Sequence, residues 1–425
     1  MTSGIRAALV AVLLVAGCTT RERSNPLDPR NSRTQGQLVG FNAIAADTVV
    51  GFRWPALSLQ GVQGYRVQRW RPGGSPQSLG TTDYGPESSA GEDRGVTNDS
   101  TYVYRLVAHL ASGDSALSPP DTATPGPRRI MLLEAGLPAL SRLSPDARDV
   151  LFERAANEAY VDVEIDTKHE VLWVADEGAG IVTRKSFEGA TVGAALSVAA
   201  PVDLSVSNLR GIGWVASAGE QRVIAFGPDL DDPAPQRVIV GVGNPRVVEA
   251  GTIDLSVWVG SEEGHVYRYR AQDVVLTREW VLQSGSIRAI ALDEATGAAW
   301  VATQSGGFND LFYLDPATGD SVKVRAGLLN VADLAVDPAT GDLWISERGA
   351  PGLAGGRLSL ITRFGIERMA MTGIEPYGID LDPQDGTCWV TDLESDRLLH
   401  VDRNGSVLRS SPTLQTPYAV RVRIP

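Results

Sequence analysis

Short apolar runs separated by turn residues make up most of the chain after residue 127. One such unit has an apolar run at 287–292, a turn at 293–297 and a second run at 299–303. The turn begins with Asp293 and ends with Gly297, because Asp accepts backbone hydrogen bonds and Gly tolerates a positive φ angle. No long stretch has an apolar period of about 3.6 residues. The pattern therefore predicts short β-strands and few helices.

The second run of this unit recurs at a nearly constant interval and carries a tryptophan each time. The six copies are at Trp173, Trp214, Trp258, Trp300, Trp344 and Trp389. The steps between them are 41, 44, 42, 44 and 45 residues. Units of short strands that repeat every 40–45 residues or so are typical of β-propeller blades. We interpret the tryptophans as packing between neighbouring sheets rather than as ligand-stacking groups.

A seventh unit lies one period before Trp173, with Met131 at the tryptophan position. Its first strand is missing on the N-terminal side. The end of the chain, 417–422, matches 376–381 and can supply that strand. The sequence therefore predicts an all-β fold with a seven-bladed β-propeller at 128–425, closed by the C-terminal strand. Six blades plus extra strands is the alternative.

The first residues have the features of an export signal. Arg6 precedes an apolar run at 7–16 that is too short to span a bilayer, which predicts a signal peptide at 1–17. The segment 14–18, Leu-Val-Ala-Gly-Cys, resembles the lipobox of bacterial lipoproteins. That resemblance implies a lipid-modified Cys18, with an ordinary signal peptide as the alternative. Thr19, where an Asp would indicate inner-membrane retention, favours the outer membrane. Residues 18–35 are polar and proline-containing, which predicts a lipidated flexible tether.

Residues 36–125 have a different pattern, with strands around Trp54, 64–70 and 100–108. The segment resembles a fibronectin type III domain. The resemblance implies that Trp54 is the buried tryptophan of an early strand and that Tyr102 or Tyr104 forms the tyrosine corner. Pro-Gly-Pro at 125–127 predicts the boundary to the propeller.

Composition narrows the partners and the redox chemistry. The chain has 38 Lys and Arg against 51 Asp and Glu, a net charge of −13, which argues against nucleic acid and against anionic lipid headgroups. Membrane contact is therefore expected through the lipid alone. Cys18 and Cys388 are the only cysteines. With Cys18 lipidated, no intrachain disulfide is expected, and Cys388 is interpreted as a packing residue.

Motifs of catalysis are scarce. The sequence contains no phosphate-binding Gly-rich loop with Lys, no Gly-x-Ser-x-Gly and no His-Glu-x-x-His. The four histidines fall at unrelated positions in their units, so they predict no shared metal site. We therefore assign no catalytic residue.

A set of acidic residues follows the tryptophan position by three residues in four adjacent units. These are Glu134, Asp176, Glu347 and Asp392. They predict an acidic half at one end of the channel, which could bind a cationic ligand or a hard cation such as Ca²⁺. Capping of the following loop is the alternative. Phe308, in a longer loop on the same side, is a further candidate contact. Apart from possible Ca²⁺, no cofactor is expected, and the identity of any metal is open.

The recurring Asp…Gly…Trp-Val-x-Asp unit resembles NHL-type and YVTN-like propeller repeats across 128–425. The resemblance implies a lipid-anchored envelope protein that binds a protein or a small ligand, or acts as a scaffold. The alternatives are a metal-dependent propeller enzyme, either a lyase or a lactone hydrolase, and a purely structural part of the envelope. An enzyme is the less favoured interpretation.

Overall fold

The computed structural model describes residues 27, 36–55, 61–80, 84–136, 139–155, 159–208, 210–227, 229, 231–350, 355–382 and 384–424. The chain divides into two compact units, Met1–Gly126 and Pro127–Pro425. All regular elements of the described residues are β-strands, which confirms the all-β prediction. None of these residues forms a helix long and apolar enough to cross a membrane. The predicted signal peptide, Cys18 and, except for Leu27, the predicted tether lie outside the described residues.

The described residues of the N-terminal unit form eight strands in two sheets. The strands are β1 (Asn42–Ala46), β2 (Val49–Arg53), β3 (Val62–Trp70), β4 (Gln77–Ser78), β5 (Ala90–Asp93), β6 (Tyr102–Leu110), β7 (Ser115–Leu117) and β8 (Asp121–Ala123). One sheet has the order β1-β2-β5. The other has the order β4-β3-β6-β7, and β8 also pairs with β6.

Aromatic residues fill the core of this unit. Trp54 is buried, and the ring of Phe52 lies 4.9 Å from that of Tyr104. The hydroxyl of Tyr102 accepts a hydrogen bond of 2.9 Å from the backbone N–H of Thr97, five residues upstream. A tyrosine hydroxyl bonded back to upstream backbone is the geometry of a tyrosine corner.

The C-terminal unit consists of seven four-stranded antiparallel sheets in its described residues. Sheet 1 contains β9 (Arg129–Glu134), β10 (Ala139–Leu143), β11 (Val150–Ala155) and the last strand of the chain, β36 (Pro417–Arg423). Sheet 2 contains β12 (Tyr160–Asp166), β13 (Val171–Asp176), β14 (Ile181–Lys185) and β15 (Leu196–Ser197). Sheet 3 contains β16 (Pro201–Ser207), β17 (Ile212–Ser217), β18 (Arg222–Phe226) and β19 (Pro235–Ile239). Sheet 4 contains β20 (Pro245–Ala250), β21 (Ser256–Ser261), β22 (His265–Arg270) and β23 (Val275–Val281).

The remaining three sheets follow the same order. Sheet 5 contains β24 (Ser286–Asp293), β25 (Ala298–Ser305), β26 (Phe308–Leu314) and β27 (Ser321–Leu329). Sheet 6 contains β28 (Val331–Val336), β29 (Leu343–Glu347), β30 (Arg357–Ile361) and β31 (Glu367–Thr372). Sheet 7 contains β32 (Pro376–Leu381), β33 (Cys388–Asp392), β34 (Arg397–Val401) and β35 (Val407–Ser410). Successive strands pair within each sheet, which makes the unit β-propeller-like.

The first turn of a sheet is formed as its sequence predicts. In sheet 6, the Asp337 carboxylate accepts the N–H of Ala339 at 2.9 Å, and Gly341 has a φ of 71°. A positive φ is strained for residues with a Cβ atom, so Gly is favoured there. The Asp337 carboxylate and the conformational freedom of Gly341 together stabilise the hairpin that connects the first strand to the second.

The repeated tryptophans pack between adjacent sheets. All six are at most 1% exposed. Trp173 of sheet 2 lies in one apolar cluster with Leu204 and Phe226 of sheet 3, and Trp389 of sheet 7 clusters with Leu132 of sheet 1. Each large ring therefore fills the space that two twisted sheets leave between them. Truncating one such side chain to Ala would cost about 3–5 kcal/mol of folding free energy.

The last strand closes the ring of sheets. β36 pairs antiparallel with β9, with Val420 opposite Leu132. The innermost strands contact one another in the cyclic order β12, β16, β20, β24, β28, β32, β36 and back to β12. The predicted closure by the C-terminal strand is confirmed. Sheet 1 consequently combines strands from opposite ends of the unit.

We expect ring closure to be sensitive to the apolar face of β36. Val420 is fully buried, so Val420→Asp would bury an unpaired charge and lower the free energy of unfolding by about 3 kcal/mol or more. Val407→Asp, on the exposed face of β35, is the matched control and should change it by less than about 0.5 kcal/mol. Urea unfolding of the full chain measures both. Equal stability of the two variants would contradict the role given to β36.

Candidate functional site

The four acidic residues singled out in the sequence lie where their second strands end, but their side chains are buried. Their exposed fractions range from 1 to 6% for Glu134, Asp176, Glu347 and Asp392. In three of them a carboxylate oxygen accepts a backbone N–H from the chain just before the innermost strand of the same sheet. The pairs are Glu134 with Gln415 at 2.6 Å, Glu347 with Leu329 at 2.9 Å and Asp392 with Glu375 at 2.8 Å.

Asp176 instead caps its own loop and accepts the N–H of Ala179 at 2.9 Å. Asp176 thus makes the contact of the capping alternative, as does Asp392, which also accepts the N–H of Glu394 at 3.1 Å, whereas the bonds of Glu134 and Glu347 run to chain before the innermost strand. Burial of all four side chains leaves little carboxylate surface for a ligand. Within the described part of the chain, none of the four belongs to a group of side chains close enough to share a metal ion. Phe308 is 59% exposed and is the first residue of β26, so the longer loop predicted around it is a short turn between two strands. A ligand contact through Phe308 stays a prediction.

One group of possible metal ligands is present among the described residues, at Asp382, Asp385 and His400 of sheet 7. The guanidinium of Arg128 already donates to Asp382 at 2.5 Å. Burial lowers the pKa of His400 to about 4, so its ring is neutral at physiological pH. That ring stacks on Trp389 at 4.0 Å. Because Arg128 supplies the positive charge that Asp382 requires, we interpret the group as support for sheet 7.

One cavity of the propeller is its central channel. It has a volume of about 370 Å³ and is lined by residues of all seven innermost strands. Near its start, each innermost strand has a β-bulge, where the register with the second strand shifts. A bulge leaves a residue unpaired and re-aims its side chain. The bulge residues lining the cavity, which we call the mouth ring, are Val161, Val202, Arg246, Arg288, Ala332, Tyr377 and Tyr418.

The mouth ring is chemically asymmetric. Tyr377 and Tyr418 come from adjacent sheets and meet edge to face, with ring centroids 6.4 Å apart. The hydroxyl of Tyr418 donates to the backbone carbonyl of Tyr160, which also lines the cavity. Arg246 and Arg288 lie on the adjacent sheets 4 and 5. The ring therefore has an aromatic side and a basic side.

The basic side also borders a second cavity of about 220 Å³. Besides Arg246 and Arg288, its lining includes the polar side chains of Glu177, Ser286 and Gln304. A guanidinium nitrogen of Arg288 lies 3.5 Å from the Tyr377 hydroxyl, which connects the basic side to the aromatic side. The mouth thus offers donors, acceptors and aromatic surface around one space.

Carboxylates lie one step deeper and link neighbouring sheets. Each accepts a backbone N–H from the first strand of the next sheet: Asp162 from Leu204 at 3.1 Å, Asp203 from Val248 at 2.7 Å and Asp333 from Ile379 at 3.0 Å. These bonds tie the innermost strands together around the channel. The residues therefore have a structural role, although they line the cavity.

Two arginines of the closing strand balance part of this negative charge. Arg421 pairs with Asp162 at 3.1 Å and also with Glu164, and Arg423 pairs with Asp380 at 2.6 Å. The nearby carboxylates raise the pKa of Arg421 well above its usual value against the effect of burial. The deep part of the channel is therefore held by a buried ion-pair network that joins sheets 1, 2 and 7.

Other channel carboxyls are forced towards their neutral form. Burial, with the charge of Glu164 added, raises the pKa of Glu249 to about 8. Burial and the neighbouring Asp162 also raise the pKa of Asp203 well above its usual value. Glu249 consequently holds a proton at neutral pH, and the charged form of Asp203 is disfavoured.

The repeat pattern of the sequence does not identify Arg246, Arg288 or the tyrosines of the mouth ring. A signal was present, because four mouth-ring residues follow a proline at the start of their strand. These dipeptides are Pro201-Val202, Pro245-Arg246, Pro376-Tyr377 and Pro417-Tyr418. The residue after this proline changes from unit to unit while the tryptophan does not, which distinguishes a channel position from a packing position.

The raised pKa of Glu249 predicts a pH-dependent stability. Between its ordinary pKa and about 8, the folded state binds more protons than the unfolded state, so stability falls as pH rises through this range. Glu249→Gln removes this effect. The variant should match the parent near pH 4.5 and exceed it by about 1–3 kcal/mol above pH 8. Urea unfolding from pH 4.5 to 9 measures the difference. The exposed Glu394→Gln is the control, and a gap that does not grow with pH would contradict the assignment.

No protein-family model and no curated protein matches this sequence. Solved structures are similar in fold. A chain of hydrazine synthase from Kuenenia stuttgartiensis has a TM-score of 0.54 at 12% identity, over 62% of this chain and 90% of that one. A functionally unknown protein from Desulfotomaculum acetoxidans has a TM-score of 0.56 at 12% identity, over 70% and 99%. At such identities the similarity shows a β-propeller-like fold and no activity.

Proposed function

We propose that this protein is a binding protein of the bacterial cell envelope and that it holds a small ligand in the mouth of the propeller channel. The carrying observation is the mouth ring, in which Arg246, Arg288, Tyr377 and Tyr418 surround one cavity. Its volume of about 370 Å³ lies at the small end of the range of ligand pockets, roughly 300–1,000 Å³. A ligand of the size of one sugar ring or a dipeptide fits this space.

The arrangement favours binding over catalysis. General acid–base chemistry needs a titratable group that reaches the substrate. The carboxylates of Asp162, Asp203 and Asp333, below the mouth, already accept backbone N–H groups. The group at Asp382, Asp385 and His400 is held by Arg128. No observation therefore favours the metal-dependent lyase or lactone hydrolase.

The N-terminal part of the chain fits a lipid-anchored spacer. The lipobox-like sequence at Cys18 supports anchoring, with the outer membrane as the proposed location. The buried Trp54 and the tyrosine-corner geometry of Tyr102 support a fibronectin type III-like domain. In this proposal the tether and this domain hold the propeller away from the bilayer, where it meets a small ligand or an envelope protein.

Filling the mouth should abolish ligand retention. Ala332 belongs to the mouth ring and is 9% exposed, so Ala332→Phe adds a large side chain to the channel wall. Native mass spectrometry of chain purified from its own envelope should find a small molecule on the parent and none on this variant. Ala234→Phe, in an exposed turn, is the control and should keep the molecule. No difference between the parent and Ala332→Phe, at equal melting temperature, would contradict the channel as the site.

The anchor predicts a simple fractionation result. Cys18→Ala should move the chain from the membrane fraction to the soluble fraction, since no acyl chain can then be attached. Cys388→Ala is the matched control, because it changes the only other cysteine and leaves the anchor intact. Retention of Cys18→Ala on membranes would refute the lipid anchor.

A further inference from the structure

Two arginines of the mouth ring lack a negatively charged partner among the described residues. The Arg246 side chain is exposed at the cavity and forms neither an ion pair nor a hydrogen bond there. The one side-chain contact of Arg288 is the 3.5 Å approach to the neutral hydroxyl of Tyr377. By contrast, Arg421 and Arg423, deeper in the same channel, pair with carboxylates. The fold therefore neutralises the deep arginines and leaves the mouth pair available.

The surroundings of Arg246 and Arg288 offset little of the positive charge of these two side chains. Below them on sheets 3 and 4, burial raises the pKa of Glu249 to about 8 and the pKa of Asp203 well above its usual value, so the charged form of each carboxyl is disfavoured. The whole chain has a net charge of −13, so two adjacent unpaired guanidinium groups contrast with its acidic character. Guanidinium groups bind carboxylates with paired N–H donors, and such bonds are stronger in a partly enclosed site than in open water.

The aromatic side of the mouth fits the remainder of a ligand. The guanidinium of Arg348 lies 5.0 Å from the centroid of the Tyr377 ring, which holds that ring in place. Tyr418 meets Tyr377 edge to face and is fixed by its bond to the Tyr160 carbonyl. Fixed aromatic rings with hydroxyl groups supply contact area at low entropic cost. A small polar ring can pack here while its charged group reaches the arginines.

We propose that the ligand carries a carboxylate, that Arg246 and Arg288 bind this carboxylate together, and that Tyr377 and Tyr418 contact the rest of the molecule. This inference rests on the proposed binding function of the channel and specifies the chemical class of its ligand. An acidic sugar and the end of a short peptide both present this charged group in a volume that fits, and the matched probes below distinguish them.

Matched probes test the inference with the full-length protein in detergent. D-galacturonate is compared with D-galactose, which has a hydroxymethyl group in place of the carboxylate. N-acetyl-dialanine is compared with its C-terminal amide in the same way. Isothermal titration calorimetry should detect the acid of at least one pair and show its neutral partner about tenfold weaker or more, as loss of a charged hydrogen bond requires. The pair that responds distinguishes a sugar from a peptide.

Variants assign the effect to the two arginines. Arg246→Gln and Arg288→Gln should each weaken binding of the acid by about tenfold and leave binding of the neutral partner unchanged. Arg270→Gln is the control, since Arg270 is exposed on sheet 4 and pairs with Asp273. Because both mouth arginines are outside the apolar clusters, we expect folded variants with the melting temperature of the parent.

The outcomes separate this inference from the proposed function. Equal binding of an acid and its neutral partner, lost in Ala332→Phe but kept in both arginine variants, would overturn the carboxylate and keep the channel. Absence of binding by either acid, while the parent retains an envelope molecule that Ala332→Phe loses, would overturn the carboxylate as well. If the parent retains no molecule that Ala332→Phe loses, the proposed binding function itself is wrong.

Discussion

The pairing of β36 with β9 is the contact on which the rest of the propeller depends. It joins residues separated by 281 positions, as the bond between Gln415 and Glu134 shows. The same strand contributes Tyr418 to the mouth ring and Arg421 to the buried ion-pair network. Closing a long chain segment costs conformational entropy, and β36 offsets it with ladder hydrogen bonds to β9 and a buried apolar face. Closure and construction of the channel are therefore one event.

Each repeat separates the residues that build the sheets from those that give the channel its chemistry. The turn Asp, the turn Gly and the tryptophan recur because every pair of adjacent sheets needs the same hairpin and the same filler. The bulge residue of the first strand faces the channel, where no contact between sheets requires the same side chain in every repeat. It is therefore free to be Val202 in one sheet and Arg246 in the next without a change in packing.

This separation explains which parts of the structure can be predicted from the sequence alone. The tryptophan spacing and the match between 417–422 and 376–381 predict the repeated sheets and the closing strand, since packing repeats leave a periodic pattern. The acidic residues at the strand ends share a position, but only the structure shows that Glu347 is 6% exposed and already bonded to Leu329. The sequence does not predict Arg246 and Arg288 as channel residues, because a bulge reverses the side-chain direction expected from simple alternation along a strand.

In the proposed binding mode, the order of charges along the channel sets which part of a ligand enters first. The arginines of the mouth would attract an anion, whereas Asp162 in the deeper lining is already paired with Arg421, and Glu164 and Asp380 beside it pair with Arg421 and Arg423. A carboxylate that moved deeper would lose its contact with the unpaired guanidinium groups of Arg246 and Arg288. It would meet only guanidinium groups that already pair with carboxylates. On this proposal, an anionic group would remain at the mouth because the deeper positive charges are already paired. The buried ion-pair network would then orient a ligand as well as hold sheets 1, 2 and 7 together.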